Sequence, residues 1–192
     1  MSLAEGLHPA SPRFESAEAF LAWAEAQPER WELVDGVARM MTGGSVNHGR
    51  IAGNAFFALR TGLREGPCEA FGSDVAVIVE PSKVVYPDAS VSCEPEEGMG
   101  VTRPVVVVEV LSPSTASYDL THKATIYRRL PSLRHLVFIH QDRIGVQHFH
   151  RDAGGDDFTL TEIDRPDGRL RLAAIGVEVA VAELYARVAF AG

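Results

Sequence analysis

Two acidic residues stand at positions where a carboxylate is costly. Glu109 interrupts the run 105–111, which is otherwise valine and leucine, and Asp88 directly follows Pro87 in another strand-like segment. An unpaired carboxylate in a covered strand costs several kcal/mol, so each acid needs a partner. If the two strands are neighbours, both side chains face one point. We therefore predict that Asp88 and Glu109 lie side by side at one edge of a sheet, where a divalent cation would supply the missing charge.

Lys123 is the third residue of this predicted site. It follows Leu120 by three positions and precedes Tyr127 by four, which in a helix places it on the face that packs toward the sheet. A lysine on a buried face either extends to solvent or meets a carboxylate. Two interpretations stay open at this point, a structural ion pair with Glu109 and a catalytic role beside it.

Hydrophobic periodicity and turn residues mark the elements that would position these side chains. Ser16 can cap a first helix, and the Asp35-Gly36 pair between two strand-like runs predicts a hairpin. A second helix is predicted over residues 48–63, where apolar residues recur at intervals of four. The remaining predicted elements are strands at 74–80, 84–93, 105–111, 136–140, 146–151, 158–164 and 169–174, and helices at 117–130 and 181–188.

The predicted fold class is α/β, a mixed α+β sheet with flanking helices. The continuous hydrophobicity of residues 105–111 is typical of a strand covered on both faces, which should be central in its sheet. A chain of 192 residues has the length of one domain, here predicted over residues 1–192. Residues 1–13 carry Gly, Pro and Ser without periodicity and predict a loose leader.

Composition bounds the compartment and the redox chemistry. Apolar residues make up 46% of the chain and charged residues 23%, the usage of a globular protein. The longest apolar run is far too short to cross a bilayer, and the N-terminus lacks the pattern of a secretory signal. We therefore expect a cytoplasmic protein with no membrane partner. Cys68 and Cys93 lack any metal-binding spacing and predict two buried thiols rather than a disulfide framework.

The charge balance bears on nucleic acid as a partner. With 26 acidic and 18 basic residues, the formal net charge is −8, which opposes non-specific attraction to a phosphate backbone. A local basic groove is still compatible with this balance, although solvated helix surfaces are the simpler interpretation. The arginines that could line such a groove are Arg50, Arg60, Arg64, Arg128, Arg129 and Arg134.

A series of short motifs resembles one known family. They are, in chain order, Trp31-Glu32-Leu33-Val34-Asp35-Gly36, Asn47-His48, Tyr86-Pro87-Asp88, Val108-Glu109-Val110-Leu111-Ser112-Pro113-Ser114-Thr115, and Tyr118-Asp119 followed by Lys123. Their order is similar to that of the Uma-two (Uma2) family, restriction-endonuclease-like bacterial proteins of the PD-(D/E)XK nuclease superfamily. The resemblance spans roughly residues 31–151, and the combination is far more specific than any single motif. It implies a restriction endonuclease-like core with flanking helices and added β-hairpins.

The resemblance also implies roles for individual residues. Asp88 and Glu109 would be the catalytic carboxylates that hold the metal, and Glu32 would be a further catalytic acid. His48 matches a position that the family usually fills with histidine, where it would support the site or contact substrate.

One departure from the superfamily concerns the lysine. The usual Glu-x-Lys pattern would place a lysine at Leu111, where this sequence has none. Lys123 would have to act in its place, reaching the site from the next element.

The activity implied is metal-dependent hydrolysis of phosphodiester bonds. The cofactor would be a divalent metal, magnesium or alternatively manganese, which polarises the scissile phosphate and generates a nucleophile from bound water. Family analogy implies DNA as the substrate, and the need to cut two strands favours a homodimer.

Two alternatives to catalysis at this site stay open. His148 and His150 alternate along one predicted strand, and with His140 on the preceding strand they could form a three-histidine face of another metalloenzyme. The acidic net charge and the missing lysine at Leu111 favour a different alternative. In it, a nuclease fold is retained for nucleic-acid binding or regulation without catalysis.

Overall fold

The computed structural model describes residues 11–112 and 119–190. The helices are α1 Ala17–Ala24, α2 Val46–Gly62, a π-helical turn Asp119–Lys123 continued by α3 Ala124–Tyr127, a 3-10 turn Ala173–Ile175, and α4 Val181–Leu184. The strands are β1 Trp31–Val34, β2 Val37–Met40, β3 Glu69–Gly72, β4 Ala76–Glu80, β5 Lys83–Val85, β6 Ala89–Ser92, β7 Gly100–Val101, β8 Pro104–Leu111, β9 His135–His140, β10 Val146–His150, β11 Thr159–Ile163, β12 Arg169–Leu172 and β13 Val177–Ala180.

The larger sheet has the strand order β11-β10-β9-β8-β6-β3. Strand β8 runs parallel to β9 and antiparallel to β6, so it lies inside the sheet, as its continuous run of valines predicts. The mixed sheet predicted from the sequence is thereby confirmed. Glu109 belongs to this interior strand, so its carboxylate is carried on an element that is hydrogen-bonded on both sides.

The second sheet has the order β2-β1-β5-β4-β7. Its β1–β2 hairpin turns at Asp35 and Gly36, whose φ angles are 52° and 75°. Positive φ at both central residues is the geometry of a type I′ turn, which Asp-Gly sequences favour. The hairpin predicted from this dipeptide is confirmed, and it places β1 beside β5.

Helices cover both faces of the larger sheet. Ile51, Ala55 and Leu59 of α2 form one buried cluster with the even-numbered valines of β8, such as Val106 and Val108. A second cluster joins α3 to the opposite face of the same strands. Ser16 and Ser45 cap α1 and α2 by accepting hydrogen bonds from backbone amides of their first turns. The helix predicted to begin at residue 117 is described only from Asp119 onward, and the residues before it lie outside the described part of the chain.

The segment predicted as one strand over residues 84–93 is divided between the two sheets. Strand β5 ends at Val85, and β6 begins at Ala89 in the other sheet. Pro87 lies between them, and proline has no backbone N–H to continue a ladder. The single-strand prediction is wrong for this reason, and the break places Asp88 at the start of β6.

Cys68 and Cys93 form a disulfide, which overturns the prediction of two separate thiols. Cys68 immediately precedes β3 and Cys93 follows β6, and the antiparallel register that pairs Glu69 with Ser92 sets the two cysteines opposite one another. Both are half-buried. Pairing between strands distant in sequence decides this bond, and the spacing of the cysteines does not reveal it.

The leader predicted over residues 1–13 is ordered at its end. Arg13 bridges to Val37, and the carbonyl of Pro12 accepts a hydrogen bond from the amide of Ala38. Residues 1–10 lie outside the described part. Among the described residues, no helix is both long and apolar enough to cross a membrane.

Candidate active site

The register of β6 on β8 brings Asp88 beside Glu109. Ala89 pairs with Val108 in an antiparallel ladder, so the next position outward sets Asp88 opposite Glu109. The amide of Val110 donates a 2.7 Å hydrogen bond to Asp88 Oδ2. The two carboxylates are 12% and 5% exposed, so this end of the sheet concentrates negative charge in a nearly dry environment.

Glu109 has two donors on one oxygen. Lys123 Nζ lies 3.0 Å from Glu109 Oε1, and the hydroxyl of Tyr127 donates to the same atom at 2.6 Å. A buried carboxylate is tolerated only when paired and hydrogen-bonded, and these contacts meet that requirement. The ion pair considered from the sequence is therefore present.

Helical spacing explains why both donors reach the same point. Lys123 ends the π-helical turn and Tyr127 ends α3, four residues apart and hence on one helix face. That face packs against β8, with Ala124 and Tyr127 in the same buried cluster as Leu111.

Tyr127 is the residue of this site that the sequence interpretation missed, since it was assigned only to the buried helix face. It is fully buried. Burial, followed by the neighbouring Glu109, raises the pKa of its phenol well above the usual value, and Glu32 and Asp88 add to the effect. The phenol is thus a permanent hydrogen-bond donor at neutral pH. Its position four residues after Lys123 is the signal that could have identified it.

His48 approaches Asp88 from the other face of the molecule. It lies in the first turn of α2, where Ser45 Oγ accepts a hydrogen bond from its amide, and its Nε2 is 3.4 Å from Asp88 Oδ2. Gly44 permits this placement, because a Cβ there would lie 2.8 Å from His48 Nδ1. His48 therefore lies beside an acid of the predicted site. The role of His48 stays a prediction.

Glu32 reaches the same region from the second sheet. It lies on β1 opposite Arg39, and one of its carboxylate oxygens is buried. The negative charges of Glu32, Asp88 and Glu109 all raise the pKa of the Tyr127 phenol. Three carboxylates therefore act on one phenol, Glu32 from β1, Asp88 from the residue before β6 and Glu109 from β8.

The donor set suits a hard divalent cation. Within residues 11–112 and 119–190, no group of three or more His, Cys, Asp or Glu side chains is arranged to hold a metal. Magnesium does not need such a cage, because it keeps several waters and binds through one or two carboxylates. Asp88 and Glu109 supply two carboxylates and no sulfur, so the residues fit magnesium or manganese better than a softer metal.

The three-histidine face predicted from His140, His148 and His150 does not form. His135 pairs with His150 across β9 and β10, and His140, five residues further on, has the opposite side-chain direction because strands have a period of two. His140 instead contacts Arg143 at 3.0 Å, whereas His135 Nδ1 lies 2.9 Å from His148 Nε2. The register therefore excludes His140 from the histidine cluster.

Known proteins similar to this chain identify its family. Residues 17–182 match the Uma2 family, described as "Putative restriction endonuclease". An uncharacterised protein of Synechocystis sp. is 35% identical over 179 residues, covering 91% of this chain and 93% of the relative. A second one from that organism is 31% identical over 160 residues, covering 80% and 90%.

A solved structure shows the same fold. The crystal structure of a "putative nuclease belonging to DUF820" from Anabaena variabilis superposes with a TM-score of 0.70 over 91% of this chain and 99% of that chain. At 15% sequence identity, this likeness is one of fold alone. The nuclease-like fold predicted from the sequence is thereby confirmed.

Proposed function

Because the chain belongs to the Uma2 family of restriction-endonuclease-like proteins, we propose that it is a metal-dependent nuclease that hydrolyses phosphodiester bonds of DNA. The observation that carries the proposal is the register that sets Asp88 opposite Glu109, with Lys123 bound to the second carboxylate. Acids alone would fit many metal sites. An adjacent lysine adds the positive charge that phosphoryl chemistry requires.

Asp88 and Glu109 would hold the metal, with magnesium as its natural form and manganese as a substitute. When bound, the metal polarises the scissile phosphate and lowers the pKa of a bound water towards neutrality. The hydrogen bond from Val110 to Asp88 fixes one carboxylate, and that from Tyr127 to Glu109 fixes the other. Both acids are therefore held in place before the cation arrives.

Lys123 supplies positive charge from the helix instead of from position 111. Its Nζ lies 3.0 Å from Glu109 Oε1, and its side chain is 13% exposed. In such a water-poor site, an ammonium group stabilises negative charge on the phosphate more strongly than in bulk water. His48, 24% exposed beside Asp88, is placed to contact substrate or to orient that acid.

The proposal includes assembly and location. Cutting both strands of a duplex favours two copies of the site, so we propose a homodimer in the cytoplasm. Sedimentation velocity of the full chain, with and without duplex DNA, measures the oligomeric state. A monomer in both conditions would remove the dimer from the proposal and leave the chemistry intact.

Cleavage assays test the activity directly. The full chain is incubated with supercoiled plasmid, linear duplex, single-stranded DNA and RNA, with Mg²⁺, Mn²⁺ or EDTA. We expect metal-dependent cleavage of DNA that falls to background in Asp88→Asn and Glu109→Gln. Asp74→Asn is the matched control, since the side chain of Asp74 is 94% exposed and pairs with Arg30.

Two results would overturn the proposal. One is the absence of cleavage by the wild-type chain on every substrate while a control nuclease works under the same conditions. The other is cleavage that persists in Asp88→Asn. DNA binding without any cleavage would support the alternative, a nuclease fold that binds DNA without cutting it. The observation behind this alternative is Leu111, which occupies the position where the superfamily usually has a lysine.

A further inference from the structure

A cleft lies at the end of the larger sheet opposite to Asp88 and Glu109. It has a volume of about 1090 Å³ and opens where β8 and β9 begin and β10 ends. Val105, at its wall, is four residues before Glu109 on β8, about 13 Å along the strand. Its polar lining includes Arg134, Arg151 and the imidazoles of His135, His148 and His150.

The cleft is basic in an acidic protein. Five arginines line it against two carboxylates, Glu94 and Asp152, whereas the whole chain has a net charge of −8. Of the six arginines considered as groove candidates from the sequence, only Arg134 lines this cleft. Concentrated positive charge in a concave surface raises the local concentration of anions.

Arg151 presents a fixed guanidinium to this space. Its Nε donates to the carbonyl of Leu133 at 2.8 Å, and its Nη2 donates to the carbonyls of Leu130 and Pro131. These bonds hold the planar group in place and leave Nη1 for another acceptor. A pre-oriented guanidinium binds phosphate with little loss of side-chain entropy.

Arg134 stands beside Arg151 without an acidic partner among the described residues. The amide of Arg151 donates to the carbonyl of Arg134 at 3.0 Å. Burial, together with the charge of Arg134, lowers the pKa of Arg151 against an opposing effect of Asp156. By contrast, Arg103 pairs with Glu94 at 2.6 Å and Arg171 with Glu178 at 2.7 Å. An anion between Arg134 and Arg151 would relieve the repulsion.

Three imidazole rings that contact one another at a tilt line the same cleft. The rings of His135 and His148 have centroids 5.1 Å apart, and those of His148 and His150 are 4.9 Å apart. His135 Nε2 accepts from the amide of Ala174, so its Nδ1 carries the proton and donates to His148 Nε2. The pair formed by His135 and His148 is thus neutral, and the half-buried ring of His150 offers an aromatic face for stacking.

We propose that this cleft binds a nucleoside phosphate, with Arg134 and Arg151 on the phosphate at one face of the sheet and His150 against the base at the other. Residues from both faces border the cleft at the strand ends. The volume supports this class, because ligand pockets of about 300–1,000 Å³ hold molecules much larger than a free phosphate ion. Stacking of a base on an aromatic ring contributes affinity without selecting a particular base. The site is separate from Asp88 and Glu109 and does not depend on their chemistry.

Isothermal titration calorimetry of the full chain in EDTA tests the cleft without metal-dependent hydrolysis. The probes are AMP, GMP, adenosine and inorganic phosphate. We expect both nucleotides to bind more tightly than adenosine or phosphate. Arg134→Ala should weaken AMP binding by about tenfold or more, the effect of one charged hydrogen bond. His150→Ala, which removes the proposed stacking face from a half-buried position, should weaken the binding of AMP but not that of inorganic phosphate.

Arg165→Ala is the matched control for Arg134→Ala, because it removes the same charge from an exposed position outside the cleft. Its affinity for AMP should equal that of the wild type. The proposal is overturned if no nucleotide binds, or if both cleft variants bind AMP as the wild type does. Adenosine or inorganic phosphate binding as tightly as AMP would also overturn it. In the first case the phosphate, and in the second the nucleoside, would contribute nothing to the affinity.

Discussion

Tyr127 donates a 2.6 Å hydrogen bond to the oxygen of Glu109 that also pairs with Lys123. One carboxylate oxygen therefore accepts from a neutral and a charged donor, both from one helix face. The arrangement neutralises a buried acid in the interior strand of the sheet and holds it in a single orientation. The stability of this buried acid and the proposed catalysis therefore depend on the same atoms.

Tyr127→Phe should destabilise the protein by about 1–3 kcal/mol, because the buried carboxylate of Glu109 loses a donor that no water replaces. Urea denaturation measures the change. Tyr86→Phe is the control, since Tyr86 is a partly buried tyrosine that contacts Arg30 through its ring. An equal loss in both variants would contradict a special role for the bond between Tyr127 and Glu109.

Lys123→Met should cost about 3–5 kcal/mol, because it leaves the carboxylate of Glu109 buried without its cation. Adding Glu109→Gln should recover part of that loss, since no uncompensated charge then remains. The coupling between the two positions, measured by a double-mutant cycle in urea, should be about 0.5–3 kcal/mol. Strictly additive effects would contradict an energetic interaction between Lys123 and Glu109. Regained stability without regained cleavage in the double variant would assign both residues to the reaction.

The histidine pair predicts a loss of stability in acid. Burial lowers the pKa of His135 to about 4 and that of His148 to about 3, with neighbouring histidines adding to each effect. Unfolded histidines bind protons below about pH 6.5, so the stability from these groups is complete above that pH and is lost as pH falls towards 4. Each contributes a slope of up to about 1.4 kcal/mol per pH unit.

His148→Gln tests this dependence, because glutamine can accept the hydrogen bond from His135 but does not titrate. The slope of the unfolding free energy between pH 6.5 and 4.5 should fall by up to about 1.4 kcal/mol per pH unit, the contribution of one histidine. At pH 8 both histidines are neutral in either state, which provides the internal reference. An unchanged slope would mean that other groups govern the acid sensitivity.

Reduction of the disulfide between Cys68 and Cys93 should lower the unfolding free energy by about 3 kcal/mol, since the bond closes a loop of 25 residues in sequence separation. Denaturation with and without dithiothreitol measures the change. The Cys68→Ser/Cys93→Ser variant should show the reduced stability in both conditions. Stability of the wild type that does not respond to a reductant able to break the bond would contradict its contribution.

The sequence by itself determined the local turns and helix caps, and it identified Glu109 as a residue that needs a partner. The turn at Asp35-Gly36, the cap at Ser16 and the interior position of residues 105–111 follow from short-range periodicity and backbone preferences. Glu109 was identifiable because an acid in a fully apolar strand requires compensation, whatever the fold. These properties depend on neighbours within a few residues, which the sequence displays directly.

Only the tertiary structure decided which distant residues meet. Strand register placed His135 beside His148 and turned His140 away, joined Cys68 to Cys93, and brought Arg134 next to Arg151. In a strand, a shift of one residue reverses the side-chain direction, so these pairings are invisible until the ladders are known. The physical reason is that the period of a strand fixes the face only after long-range hydrogen bonds have fixed the register.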